Sequence, residues 1–171
     1  MPDDKFIIYA AYGSNMLKER FMFYINGGKF KGISHRGCND KTEPEDLGWQ
    51  QIPYRLYFAK QSSRWENKAV AFLTSNKEPR PDYQAVARLW KVKESQFNEI
   101  KEQEGSWYDK ILELGERDGF LIKTVTGDHE DDIKEPSDSY LETIRSGLKE
   151  TTGWDKSKIE EYLNRFLKKQ D

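Results

Sequence analysis

The stretch Phe6-Ile7-Ile8-Tyr9-Ala10-Ala11-Tyr12-Gly13-Ser14-Asn15-Met16 decides how this chain folds. Its first seven residues are uninterrupted apolar and aromatic side chains, the pattern of a strand buried on both faces, and such strands lie in the middle of a sheet. Gly13 breaks the run. Ser14 or Asn15 then suits a helix N-cap, and Leu17, Phe21 and Tyr24 follow at helical spacing, so the segment reads as strand, tight turn, helix. The leading backbone N–H groups of such a turn have no partner of their own, which makes it a receptor for a carboxylate or a developing oxyanion. A plain capped connection explains the same residues, and the rest of the chain has to decide between the two.

Outward from this centre, Asn26-Gly27-Gly28 supplies left-handed conformers that close the first helix near Ile25. Lys29 to Ser34 reads as a short strand. The polar stretch from His35 to Gln51, broken by Gly37, Pro44 and Gly48, reads as a long surface loop of the kind that borders a site. Ile52, Tyr54, Leu56 and Phe58 alternate, which predicts a strand over 52–60 with one buried face. Further strands are expected over 68–75 and 83–92, separated by a linker with Pro79 and Pro81. A helix over 94–104 stops at Gly105, and strands over 107–114 and 120–126 make a hairpin through Gly115 to Gly119. After the acidic linker Gly127 to Pro136, a helix capped by Ser137 or Asp138 carries Leu141, Ile144 and Leu148 at helical steps. A last helix opens near Asp155 with the stripe Ile159, Tyr162, Leu163 and Phe166, which packs on the domain more simply than it recruits a partner.

The 171 residues fit one domain over 1–171, and 30 acidic against 28 basic residues leave no electrostatic footprint for nucleic acid. One cysteine, Cys38, excludes an internal disulfide and favours a reducing compartment. The acidic opening leads into an apolar run too short for a secretory leader, and no stretch has membrane-spanning length, so a soluble cytoplasmic protein is expected.

Several chemistries fall away. The turn lacks Gly-x-Gly-x-x-Gly and Gly-Lys-Ser/Thr, so neither a dinucleotide nor a P-loop phosphate site is supported. His35, His129 and Cys38 form no zinc pattern; each histidine reads as a surface residue and Cys38 as a structural thiol in a polar loop. A serine hydrolase on Ser14 is weakly supported, because Gly-Ser-Asn-Met lacks the second glycine of a nucleophile elbow.

One carboxylate is out of pattern. In the helix over 94–104, Phe97 and Ile100 define the apolar face, and a further step of four arrives at Glu104; Glu102 is turned away and Glu99 lies beside the face. A negative charge in the last turn meets the negative end of the helix dipole, and partial burial also disfavours ionisation, so both raise its pKa toward the range of a general base or acid. A solvated glutamate at a frayed helix end accounts for the same position.

Tyr9-Ala10-Ala11-Tyr12-Gly13-Ser14-Asn15-Met16, followed much later by Glu102-Gln103-Glu104-Gly105 and Tyr108, resembles the gamma-glutamylcyclotransferase family. The resemblance extends to Ala87-Arg88-Leu89-Trp90-Lys91-Val92 and to the stretch from Pro136-Ser137 through Tyr140 and Ile144 to Gly147, so it covers most of the chain. It implies an α+β fold, a small mixed β-barrel or sheet surrounded by helices, and an enzyme that releases 5-oxoproline from gamma-glutamyl compounds without metal or cofactor. It also implies that Tyr12, Gly13, Ser14 and Asn15, with Tyr9 and Ala11 in the adjoining strand, hold the glutamyl moiety through main-chain groups. Glu104 matches the family's catalytic glutamate, and Tyr108 and Tyr140 fall where it has substrate-contacting tyrosines. Two departures bear on the pocket's shape: Lys68-Ala69-Val70-Ala71 has no glycine pair where many members do, and Trp107 follows closely on Gly105.

The chemistry implied is economical. The α-amine and γ-carbonyl belong to one molecule, so the enzyme folds it into a near-attack conformer while Glu104 moves the proton and amides near Gly13 and Ser14 meet the oxyanion. A non-catalytic carboxylate-binding module of the same fold is the alternative. Gamma-glutamyl amino acids, gamma-glutamyl amines and a protected secondary metabolite all remain open as substrates; glutathione fits less well, because glutathione-specific relatives usually have Leu where Asn15 stands. Oligomeric state is not legible.

Overall fold

In the computed structural model, which describes residues 5–167, β1 (Phe6–Ala11) is the middle strand of a five-stranded mixed sheet. A 3-10 turn, Ser14–Met16, leads from it to α1 (Lys18–Asn26) and the short strands β2 (Gly28–Phe30) and β3 (Ile33–His35). Then come β4 (Glu45–Ile52), β5 (Tyr54–Ser62), a 3-10 turn at Ser63–Trp65, β6 (Lys68–Lys77), β7 (Ala85–Lys93) and α2 (Glu94–Glu104). The hairpin β8 (Lys110–Arg117) and β9 (Phe120–Thr126) and the helices α3 (Asp138–Thr152) and α4 (Lys156–Leu167) complete the order. The sheet runs β4-β7-β1-β9-β8, with β1 antiparallel to β7 and parallel to β9. Ile7 to Ala11 are all buried, as a strand covered on both faces requires.

The helices follow their sequence signals. α1 ends at Asn26 because Gly27 takes φ 81°, and α2 ends at Glu104 because Gly105 takes φ 96°, conformations that glycine adopts without Cβ strain. Ser137 caps α3, its Oγ accepting from the Tyr140 amide at 3.1 Å. Gly147 brings α3 against the 3-10 turn: a Cβ there would lie 2.9 Å from the Leu17 amide nitrogen and 2.9 Å from Met16 Cβ. The Asp118-Gly119 pair, φ 53° and 85°, closes the β8–β9 hairpin as the twist of the strands demands. Among the described residues, no helix is long and apolar enough to cross a membrane.

The expected α+β fold is present, and of the barrel or sheet left open it is the sheet: among the described residues it is not closed, with the mostly exposed strands β4 and β8 at its edges, while β5–β6 and β2–β3 are separate hairpins. Four expectations need correction. The stretch expected to be loop through Gln51 contains β4, whose polar residues reflect an exposed edge strand, and Gly48, φ 86°, sits in a register shift between Asp46 and Trp49. Ile52 closes β4 and Pro53 separates it from β5, so the strand expected over 52–60 is the end of one and most of the next. Lys29 to Ser34 is a hairpin rather than one strand, turning at Lys31 and Gly32. Finally, neither Ser14 nor Asn15 caps α1; its N-cap position is Leu17, and the 3-10 turn intervenes.

Candidate active site

The turn after β1 and the end of α2 meet in one hollow. Inside the turn, Met16 N–H donates to the Gly13 carbonyl (3.1 Å) and Leu17 N–H to the Ser14 carbonyl (3.2 Å), so the amides of Ser14 and Asn15 have no acceptor within it. Asn15 is buried and uses its side chain as a bridge: Nδ2 donates to Tyr9 Oη at 3.2 Å and to Glu104 Oε1 at 3.3 Å. Its Oδ1 is buried and receives no hydrogen bond. Trp90 Nε1 donates to the Asn15 carbonyl at 3.2 Å, and Trp90 stacks on Phe21, so the turn is held from the β7 side as well.

Glu104 is the only α2 glutamate that reaches this hollow. Glu102 pairs with Arg36 at the surface, and Glu99 accepts from the Asn39 amide at 3.0 Å. Gln103 fastens the helix end by donating to the Tyr24 carbonyl at 2.9 Å. Glu104 is partly buried, and that burial lifts its carboxyl above the ordinary value against the pull of Arg20, Arg64 and the Tyr24 hydroxyl.

A space of about 30 Å³ is lined by Tyr9, Tyr12, Gly13, Ser14, Asn15, Glu104, Tyr108 and Tyr140, together with Ala71 and Val125. Of the residues expected at the site, only Ala11 is outside this lining. Ala71 in β6 is gripped twice: its amide donates to Tyr140 Oη at 3.0 Å, and its carbonyl accepts from Tyr108 Oη at 2.8 Å. Tyr140 and Tyr9 thus accept from the protein and keep their own hydroxyl protons to donate, while Tyr108 is free to accept. Tyr12 Oη spends its proton on the Val125 carbonyl at 2.7 Å. Burial raises the pKa of all four phenols, which keeps them protonated at neutral pH. A Cβ on Gly13 would lie 3.3 Å from Tyr140 Oη, so the glycine keeps this space open.

Adjoining it is a wider cleft of about 370 Å³ that shares Ser14, Glu104, Tyr108 and Tyr140 and adds Arg20, Tyr24, Arg64, Trp65 and Trp107. The sequence reading missed the two arginines. Arg20 was within reach of the same argument that found Glu104, since it lies three residues after Leu17 and four before Tyr24, inside the apolar stripe of α1. It is 1% exposed, ringed by Tyr24, Phe30 and Trp65 with its guanidinium carbon 5.1–5.5 Å from their ring centres. Arg64, by contrast, is an exposed residue on a turn and carries no pattern.

The two histidines are not surface residues. His35 is buried, bonded through Nε2 to Arg20, and its pKa is pushed down to about 4, first by burial and then by that cation. His129 Nε2 bonds the Trp107 carbonyl at 2.8 Å and its ring meets Phe72 edge-on. Neither ring bonds Ser14, whose Oγ accepts from Arg20 Nε at 3.4 Å. Cys38 is buried, donates to the Tyr24 carbonyl at 3.3 Å, and has its thiol pushed up to about 11 by burial, as a structural cysteine should. Among the described residues, no group of three or more His, Cys, Asp or Glu is arranged to hold a metal.

No protein-family model matches the chain. Histone deacetylase 5 of Arabidopsis thaliana is 28% identical over 204 aligned residues, covering 94% of this chain but 31% of that protein, so the chain spans about a third of the curated relative it matches. Solved structures give a likeness along nearly the whole chain. A gamma-glutamyl cyclotransferase superposes with TM-score 0.70 at 20% identity over 98% of this chain and 90% of that one. An uncharacterized protein from Homo sapiens gives 0.69 at 20% identity, covering 98% and 91%, and YkqA of Bacillus subtilis gives 0.59 at 17%, covering 98% and 58%. The mixed sheet and its surrounding helices therefore have the gamma-glutamyl cyclotransferase fold.

Proposed function

We propose that the protein cyclises a gamma-glutamyl group to 5-oxoproline and releases the amine or amino acid bound to its γ-carbonyl, with Glu104 as the catalytic residue and no cofactor. The observation that carries this reading is that one hollow brings the Glu104 carboxylate, its pKa raised by burial, beside the turn after β1, whose Ser14 and Asn15 amides have no acceptor within the turn. A carboxylate so placed can take a proton from an α-ammonium while the amides meet the oxyanion. The fold shared with gamma-glutamyl cyclotransferase supports the same reading.

The steps balance around one carboxylate. Glu104 takes a proton from the α-ammonium, and the freed nitrogen attacks the γ-carbonyl carbon to form the five-membered ring. Negative charge appears on the carbonyl oxygen, where the Ser14 and Asn15 amides and the free hydroxyl protons of Tyr9 and Tyr140 are the donors at hand. Glu104 returns its proton to the departing nitrogen, the old amide bond breaks, and the surplus proton on the ring nitrogen leaves by the same carboxylate. Ser14 as a nucleophile lacks a base, because His35 and His129 are engaged elsewhere. The lone buried thiol of Cys38 suits a reducing, cytoplasmic setting. Incubation with a series of gamma-glutamyl dipeptides and amines, with chromatographic detection of 5-oxoproline, tests the reading. Release above the uncatalysed background from at least one of them is expected; none from any refutes it.

A further inference from the structure

Resting on that reading, we propose that Arg20 is a positioning residue of the reaction: anchored on His35 and paired directly with no carboxylate, it is the fixed counter-charge that keeps Glu104 fit to accept a proton. Arg20 is 1% exposed, and its polar contacts among the described residues run from Nε to Ser14 Oγ, long at 3.4 Å, and from Nη1 to His35 Nε2. A guanidinium can only donate, so His35 Nε2 accepts and the ring is neutral with its proton on Nδ1. The imidazole therefore fixes the cation without cancelling its charge. A cation this deeply buried normally sits against a carboxylate, because desolvating an unpaired charge is expensive. The rings of Tyr24, Phe30 and Trp65 offset part of that cost. The fold bears the rest, and the one acidic residue sharing the cleft with Arg20 is Glu104.

Glu104 is faced by five phenols: Tyr9 from β1, Tyr12 from the turn after it, Tyr24 from α1, Tyr108 from beyond α2 and Tyr140 from α3. Burial holds all five protonated, and Asn15, which bonds the carboxylate, is neutral, so none of them brings charge. The charged groups facing it are Arg20 from α1 and Arg64 from the 3-10 turn between β5 and β6. Arg64 is exposed and water screens its field, whereas the enclosed Arg20 acts through a lower dielectric. This arrangement suits a base. A salt bridge in direct contact would hold the carboxylate below the ordinary glutamate range and make it a poor proton acceptor; with no cation at all, a buried carboxyl would stay protonated and could not begin the reaction. Arg20 acts between those limits, because two of its N–H groups are turned to Ser14 and His35 and its pull on Glu104 opposes burial without overcoming it.

The test reads the charge of Glu104 itself. Protein carrying carbon-13 in its glutamate carboxyls is titrated by NMR without substrate, the Glu104 signal being identified by its loss in Glu104→Gln. Arg20→Gln is expected to move the Glu104 midpoint upward by at least about one pH unit, the lower end of what a neighbouring opposite charge does. Arg20→Lys is expected to return most of that shift, and Arg64→Gln to move the midpoint by less than about half as much, as befits a screened charge. In 5-oxoproline release, the acidic limb of kcat/KM should move up with the midpoint in Arg20→Gln. Arg20→Met serves as a second neutral variant, since removing a costly buried charge should leave the protein folded. The proposal is overturned by a midpoint unmoved in the neutral variants, by an Arg20→Lys midpoint as high as theirs, or by an equal shift in Arg64→Gln. Failure of both neutral variants to fold also overturns it, because Arg20 would then hold the fold. Absence of 5-oxoproline from the wild type counts against the cyclisation reading alone, since the carboxyl titration still decides what Arg20 does to Glu104.

Discussion

Replacing Glu104 by Gln separates chemistry from architecture at one atom. Gln keeps an acceptor where Asn15 Nδ2 donates at 3.3 Å, and it keeps the side-chain length that reaches the hollow from the last turn of α2. It removes the proton acceptor. General-base catalysis by a positioned side chain contributes about 10²–10⁴ in rate, which is about 3–5 kcal/mol of barrier, so kcat should fall by that factor, and substrate affinity should weaken as well because the α-ammonium loses its counter-charge. Stability should move the other way. The folded-state pKa of Glu104 is raised, so its contribution is fully present below the unfolded carboxylate value near about 4.3 and is lost as pH rises through the higher folded value. Gln is insensitive to pH, and the melting temperature of Glu104→Gln should therefore match or exceed the wild type at pH 7, with the gain vanishing toward pH 4. Wild-type kcat/KM should decline toward acid with a midpoint above an ordinary glutamate's. The assays are 5-oxoproline release and calorimetric melting across pH 4–8. Turnover within tenfold of wild type in the Gln variant would falsify the assigned role, and a melting temperature several degrees lower at pH 7 would show that the carboxylate holds the fold instead.

Three further outcomes follow from particular contacts. Gly147→Ala places a Cβ 2.9 Å from the Leu17 amide nitrogen, so overpacking should cost about 1–3 kcal/mol despite alanine's better helix propensity, lowering the denaturation midpoint; an unchanged midpoint would mean that α3 yields easily. Tyr108→Phe leaves the Ala71 carbonyl without its donor at a cost of about 1–3 kcal/mol, and should raise KM as well as lower the melting temperature; if only the melting temperature moves, Tyr108 is structural. His35 has its folded pKa depressed to about 4 from 6.5, so its contribution to stability is present above the unfolded value and is lost as pH falls through the folded one, amounting to about 3 kcal/mol in full. His35→Gln should flatten the stability profile between pH 6.5 and 4, and an identical slope in both proteins refutes this.

Much of the lining of the hollow was legible because it breaks local rules. Glu104 stands where the helical period of α2 demands a hydrophobe, and the Gly13-Ser14-Asn15 turn interrupts seven apolar residues. Arg20 breaks the same rule in α1, but the neighbouring Phe21 and Tyr24 completed a stripe without it. The helix stops at Gly27 and Gly105 were local and therefore readable. β4 was not, because an exposed edge strand paired on one side with β7 has no need of alternating hydrophobes. His35 and His129 were misplaced for a different reason: what buries them, Arg20 and Tyr24 for one and Phe72 and Trp107 for the other, comes from distant segments that no sequence period connects. Sheet closure is likewise a property of strand register between distant segments, and the open edge at β8 could not be seen in its own residues.

The double grip on Ala71 divides labour within the molecule. β5 and β6 form a hairpin outside the five-stranded sheet, and the phenols of Tyr108 and Tyr140 clamp its midpoint to the small hollow while its tip carries Arg64 and Trp65 along the wider cleft. Substitutions at the exposed tip residues Ser63 and Arg64 can therefore reshape the entrance without disturbing the turn after β1 or the end of α2, whereas Trp65 is buried against Tyr140 and Arg20. An engineer seeking new selectivity in this scaffold would vary those two positions and leave Trp65 and everything beneath Ala71 alone.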